Sequence, residues 1–168
     1  KEKFPKLKVT LFVIPSKTSP EHIAKLQQYD WIELGVHGWF HDTKHGRATE
    51  CNYWSEIDAS VALTMAEMMN CFAKVFRPPG WQINIETYKA LIPRGYRIAD
   101  HLGHDRWEEL GGERYTTGHL MESHGHTWEC NGNGIQELID KKCNFDENTE
   151  FLFVSEAPLD NYLPNRYQ

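Results

Sequence analysis

The stretch Gly35-Val36-His37-Gly38-Trp39-Phe40-His41-Asp42 decides how this chain is read. It overlaps Trp31 to His37, in which Ile32, Leu34 and Val36 recur at every second position, the period of a strand. His37 therefore stands at the carboxyl end of that strand, where open α/β sheets and barrels carry their chemistry. A helix beginning after Val36 would put His37 and His41 on one face, placed to bind a single metal ion. The H-x-x-x-H spacing alone equally describes two scattered surface histidines. The rest of the chain has to weigh between them.

Upstream, Val9-Thr10-Leu11-Phe12-Val13-Ile14 is a β-branched and apolar run closed by Pro15-Ser16, the pattern of a strand buried on both faces in a parallel sheet. Ser19 and Pro20 then mark a helix start, with the serine as cap and the proline in the first turn. Strand, helix and strand at this spacing make a βαβ unit. Downstream, Tyr53 to Phe72 carries Ile57, Val61, Met65, Met68 and Phe72 at intervals of three or four, an amphipathic helix whose methionines are expected to fill the core. Val75-Phe76 is a short strand, Asn84 to Ile92 a helix with Ile85, Tyr88 and Leu91 inward, and Gly95 to Asp100 a further strand. Gly103 to Gly112 reads as loop, His119 to His126 as strand, Gly134 to Lys141 as helix, and Phe151-Leu152-Phe153-Val154 as a last buried strand.

The 168 residues suit one domain, 1–168, large enough for a real core. With 40% hydrophobic and 25% charged residues the composition is that of an ordinary globular protein. The net charge of −6 without a basic run argues against a nucleic-acid partner and leaves a neutral substrate open. Cys51, Cys71, Cys130 and Cys143 lie far apart with no C-x-x-C pair, as reduced thiols of an intracellular protein do. No apolar run reaches the roughly 20 residues that span a bilayer, and no signal peptide opens the chain. The expected location is cytoplasmic without membrane attachment, although a signal already removed would leave the same sequence. Oligomeric state is not encoded in any pattern here.

Two further clusters bear on chemistry. Arg77-Pro78-Pro79-Gly80-Trp81 follows a strand and is stiffened by two prolines. Its arginine suits a carboxylate, and Gly80 lets a backbone N–H approach a ligand as an oxyanion donor must. Taken by themselves, the same residues read more readily as a proline-kinked surface loop with a salt-bridging arginine. His124 and His126 alternate at a strand end, so both point to one face and either suits general acid–base work or metal ligation. Two solvent histidines are the plain alternative. His45, His101, His104 and His119 show no partner pattern.

Together these pieces resemble the polysaccharide deacetylase family, the NodB-homology fold of carbohydrate esterase family four. His37 and His41 match the family's H-[ST]-x-x-H metal motif, Arg77 to Trp81 its arginine-proline motif, and Gly118 to Gly125 its late strand bearing an acid histidine. The order and spacing of the motifs span nearly the whole chain. The resemblance implies a distorted or incomplete (β/α) barrel and metal-dependent removal of an N-acetyl-like group from a sugar or polysaccharide. It implies a divalent metal, with zinc the expected ion, on His37 and His41 and on an aspartate that these residues do not supply. It implies a carbohydrate substrate, Arg77 orienting a base carboxylate, Gly80 and Trp81 facing substrate, and His124 as acid with His126 its rival. Asp105-Arg106-Trp107 echoes the family's aspartate–tryptophan motif, so Asp105 joins the candidates.

Two departures stand out. The family's Asp-Asp strand belongs before Val9 to Ile14, so the chain is expected to be a fragment lacking its first strand, inactive or nearly so by itself. Gly38 replaces the serine or threonine whose hydroxyl would brace the histidine loop. Two other classes stay open: a non-catalytic metal- or carbohydrate-binding module on the same fold, and a metal-free scaffold.

Overall fold

The run of β-branched residues at the start forms β1 (Val9–Val13), and Ile32–Val36 forms β2 beside it, parallel and in register from Val9 against Ile32 to Val13 against Val36. The computed structural model describes residues 4–43, 48–99 and 148–157. Between the first two strands runs α1 (Pro20–Leu26), entered as its sequence suggests: Pro20 opens the first turn and the Ser19 side chain accepts the backbone N–H of His22. The βαβ unit is therefore present. Then follow α2 (Glu56–Met68), β3 (Val75–Phe76), α3 (Ile85–Leu91) and β4 (Arg97–Ile98).

All pairings are parallel, and the strands lie in the order β1-β2-β3-β4. Sequential order without reversal is the order of a barrel wall, whereas doubly wound sheets reverse at a switch point. Over the described residues the sheet is an open four-stranded parallel arc and does not close into the expected barrel. β1 pairs only with β2 and forms an edge among the described residues. Its five residues are all half-buried, not the fully buried run expected of a central strand.

One face of the sheet carries the core. Val36, Phe76 and Ile98 pack with Ala59, Leu63 and Ala66 of α2 and with Tyr88, Ala90 and Leu91 around α3. The Phe76 and Tyr96 rings meet edge to face at a centroid distance of 6.4 Å. The Ser55–Asp58 capping box starts α2, each residue's side chain taking the other's backbone N–H. The Arg94 guanidinium reaches back from the end of α3 to Glu67 at 2.7 Å.

The facing of α2 overturns the sequence expectation. Ile57, Val61, Met65 and Met68 are exposed, Ile57 and Met68 by 75% and 79%, and Ala59, Ala62, Leu63 and Ala66 are buried instead. Both stripes have helical spacing. Two residues of offset rotate one about 200° from the other, so they lie on opposite sides of the helix. Packing chose the smaller residues because alanines let the helix backbone approach the sheet and α3 closely.

The other face is polar. Thr10 Oγ1 donates to Glu33 at 2.8 Å and accepts from Val154 N, while Arg97 Nη1 donates to the carbonyls of Ser155 and Ala157, the latter at 2.9 Å. The expected strand Phe151 to Val154 is absent for that reason: side chains of β1, β2 and β4 hold this segment as an irregular stretch and turn. On this face Gly35 leaves room for side chains of the neighbouring strands, since an added Cβ would stand 2.8 Å from Val75 and 2.9 Å from Phe12. The sequence readings for Gly103 to Gly112, His119 to His126 and Gly134 to Lys141 lie outside the described residues.

Leu63→Ala should cost about 2–5 kcal/mol of stability in urea denaturation, as a buried truncation does. Met68→Ser should stay within about 0.5 kcal/mol. The reverse ranking would return the methionine stripe to the core.

Candidate functional site

β1, β2 and β3 end together, and the candidate site sits on that rim. The N–H of His37 donates to Val13 O at 2.8 Å, and that of Arg77 to Val36 O at 2.9 Å, so the sheet ladder delivers both residues to the same edge. The His37 ring then turns to Arg77: its Nδ1 lies 2.8 Å from the Arg77 carbonyl oxygen. Since a carbonyl only accepts, Nδ1 is the donor in this contact, and in the neutral ring that leaves the lone pair on Nε2.

The chain does not enter a helix after Val36, contrary to one route by which His37 and His41 could share a face. Residues 37–43 form a loop, with left-handed backbone at Gly38 (φ 62°) and His41 (φ 52°). The loop itself brings the two imidazoles together, their centroids 5.1 Å apart and planes inclined by 50°. Both rings are half-buried.

Three devices hold the loop, none of them foreseen from sequence. Ser16, in the turn after β1, donates both its N–H and its hydroxyl to Trp39 O. Pro79 closes over Gly38. The third is Glu50, buried at 6% exposure, whose carboxylate accepts the N–H groups of Trp39 at 2.5 Å, Phe40 at 3.0 Å and Asp42 at 3.2 Å. A glutamate in an otherwise unpatterned stretch carries no sequence signal of such a role. The one hint was Gly38, standing where a bracing hydroxyl was expected.

Arg77 is held by aromatic faces. Its guanidinium lies 4.6 Å from the centroid of Phe12 and 4.4 Å from that of Trp81. Phe12, Gly35, Val75 and Arg77 thus belong to the face opposite the helices. Gly80 has a left-handed backbone (φ 61°) and packs against Ala48 and Thr49, the segment leading into Glu50. Cys51 beside Glu50 is a fully buried free thiol, its pKa pushed well up by burial, with the Glu50 charge adding to the effect. A thiol held protonated is a poor nucleophile and ligand.

Among the candidates from sequence, then, the structure brings together His37, His41, Arg77 and, through Arg77, Trp81. His124, His126 and Asp105 lie outside the described residues. Among the described residues no group of three or more His, Cys, Asp or Glu is arranged to hold a metal. A cavity of about 680 Å³ at the opposite end of β1 and β2, lined in part by Leu7, Trp31 and Phe151, is remote from the histidine rim.

A parallel α/β sheet with a histidine pair on its carboxyl rim defines the class. The sequence matches the family Polysaccharide deacetylase over residues 3–99, more than half of the chain. The chain belongs to that family, which supports a carbohydrate deacetylase acting on a carbohydrate substrate. No curated protein and no solved structure matches it significantly. No helix among the described residues is long and apolar enough to cross a membrane.

Trp81→Ala should destabilise the protein by at least about 0.5–1 kcal/mol through the lost stack on Arg77, and Trp81→Phe should retain part of it. Denaturation of both variants beside Arg77→Met checks this. Equal losses for alanine and phenylalanine would show that the ring contact carries nothing.

Proposed function

We propose that this chain is a metal-dependent hydrolase that removes an acyl group, an N-acetyl-like amide, from a sugar or polysaccharide. The observation that supports it best is the facing His37–His41 pair, with His37 Nδ1 committed to the Arg77 carbonyl. A histidine oriented in this way offers Nε2 as a donor, the arrangement by which protein carbonyls set the ligating tautomer. Neutral imidazoles suit zinc, and the two rings fit as part of its ligand set. A bound zinc ion would supply a lowered pKa for the attacking water and polarisation of the amide carbonyl.

The chain's own residues divide the remaining work. His37 and His41 hold the ion, together with a third ligand expected from the family's aspartate strand. Arg77, fixed between two aromatic rings, orients the carboxylate that serves as base. The Gly80 N–H donates toward the developing oxyanion, and Trp81 walls the acyl or sugar group. His124 protonates the leaving amine, with His126 as the rival for that role and Asp105 as a supporting carboxylate.

Acetate release from chitin oligomers and peptidoglycan sugars, measured on the natural full-length chain, tests the proposal. Chelation should abolish release and zinc restore it, and His37→Ala or His41→Ala should reduce it to the chelated level. Release that survives chelation and both substitutions would overturn the reading. Zinc binding through these histidines without release from any sugar would identify the non-catalytic binding module instead. Of His124→Ala and His126→Ala, the one that removes the acid should cost about 10²–10⁴-fold in turnover.

A further inference from the structure

We infer that Glu50 is the positioning residue that sets the metal affinity of the His37–His41 pair, an inference that rests on the metal-site reading above. The loop from 37 to 43 has neither helix nor strand to satisfy its amides. Buried amides need acceptors. Trp39, Phe40 and Asp42 find theirs in one side chain, Glu50 Oε1 taking the first two and Oε2 lying within reach of Phe40 and Asp42, at 3.2 Å each. Hydrogen bonds to a carboxylate are roughly twice as strong as neutral ones. The three amides flank or lie between the histidines, so the carboxylate holds the backbone arc that joins them.

Two observations make this more than a loop brace. The first is that the loop has vacated space for the carboxylate. A Cβ at Gly38, the residue after His37, would overlap Oε1 of Glu50 and stand 2.6 Å from Pro79. The second is that Glu50 is itself anchored in the core. Its neighbour Cys51 is fully buried, and the Cys51 carbonyl accepts both Asn84 N at 3.1 Å and Thr87 Oγ1 at 2.9 Å. Asn84 also caps α3 through Thr87 N at 2.9 Å and reaches Trp54 O at 2.8 Å. A rigid path thus runs from the start of α3 through Cys51 to Glu50, and from there to the loop between the two imidazoles. Glu50 has no access to substrate at 6% exposure, so its effect passes through the histidines.

Removing an outer partner of a metal site typically costs 10–100-fold in metal affinity, an order-of-magnitude range. The experiment is zinc titration of the purified natural chain against a chromophoric chelator, with Co(II) absorption as a second readout of ligand geometry. Glu50→Ala should weaken zinc binding by about 10–100-fold and alter the Co(II) spectrum. Glu50→Gln keeps the shape and one acceptor oxygen but turns an amide against Phe40 or Asp42, and should fall between wild type and Glu50→Ala. Native circular dichroism for the glutamine variant guards against simple unfolding. Wild-type affinity and an unchanged Co(II) spectrum in a folded Glu50→Gln, beside lost binding in His37→Ala, would overturn the role of Glu50 alone. Zinc bound equally by wild type and His37→Ala would overturn the metal-site reading and this inference with it.

Discussion

Everything at the rim depends on how seven residues of irregular backbone are kept in one shape. A helix satisfies its amides within itself, and a strand through the strands beside it. The loop after β2 does neither, and the buried carboxylate of Glu50 collects three of its N–H groups. Burying a charge is costly unless hydrogen bonds surround it, and here the loop amides provide them. Carboxylate and loop therefore stabilise each other. Either one alone would be unfavourable in this position.

The sheet translates that local arrangement into a site. Because β1, β2 and β3 are parallel and end in step, the residues that follow them meet without any further device. His37 reaches back to Val13 through its N–H and across to the Arg77 carbonyl through its ring, so one residue ties three strand ends. The two faces of the sheet then separate tasks. The helical face carries the apolar core. The opposite face places Thr10, Glu33 and Arg97 where they grip residues 154–157, and stacks Arg77 between Phe12 and Trp81.

The same contacts explain why family membership and local geometry speak to different levels of function. The match over residues 3–99 covers every described strand and the loop with both histidines. It sets the reaction class. What the loop adds is a reason for the glycine at 38, where the sequence resemblance leads one to expect a hydroxyl: a side chain there would occupy the space of the Glu50 carboxylate.

Much of the framework was legible in sequence because its signals are local. β-branched runs, the Ser19-Pro20 start and the alternation of Ile32, Leu34 and Val36 depend on neighbours a few residues away, and β1, α1 and β2 fall where those signals put them. The four-residue spacing of His37 and His41 also singled out the candidate site, where the two rings do lie together. Tertiary structure alone decided the rest. Two apolar stripes on α2 were equivalent by period, and only packing against the sheet and α3 selected the alanine side. The segment Phe151 to Val154 has strand composition, but Val154 N–H donates to the distant Thr10 side chain and Phe153 N–H to the nearby Glu156 carboxylate, not to a neighbouring strand, and so it is not a strand. The histidines meet through left-handed turns at positions 38 and 41 and not through a helix, because Glu50 supplies from outside the hydrogen bonds that a helix would have made within itself.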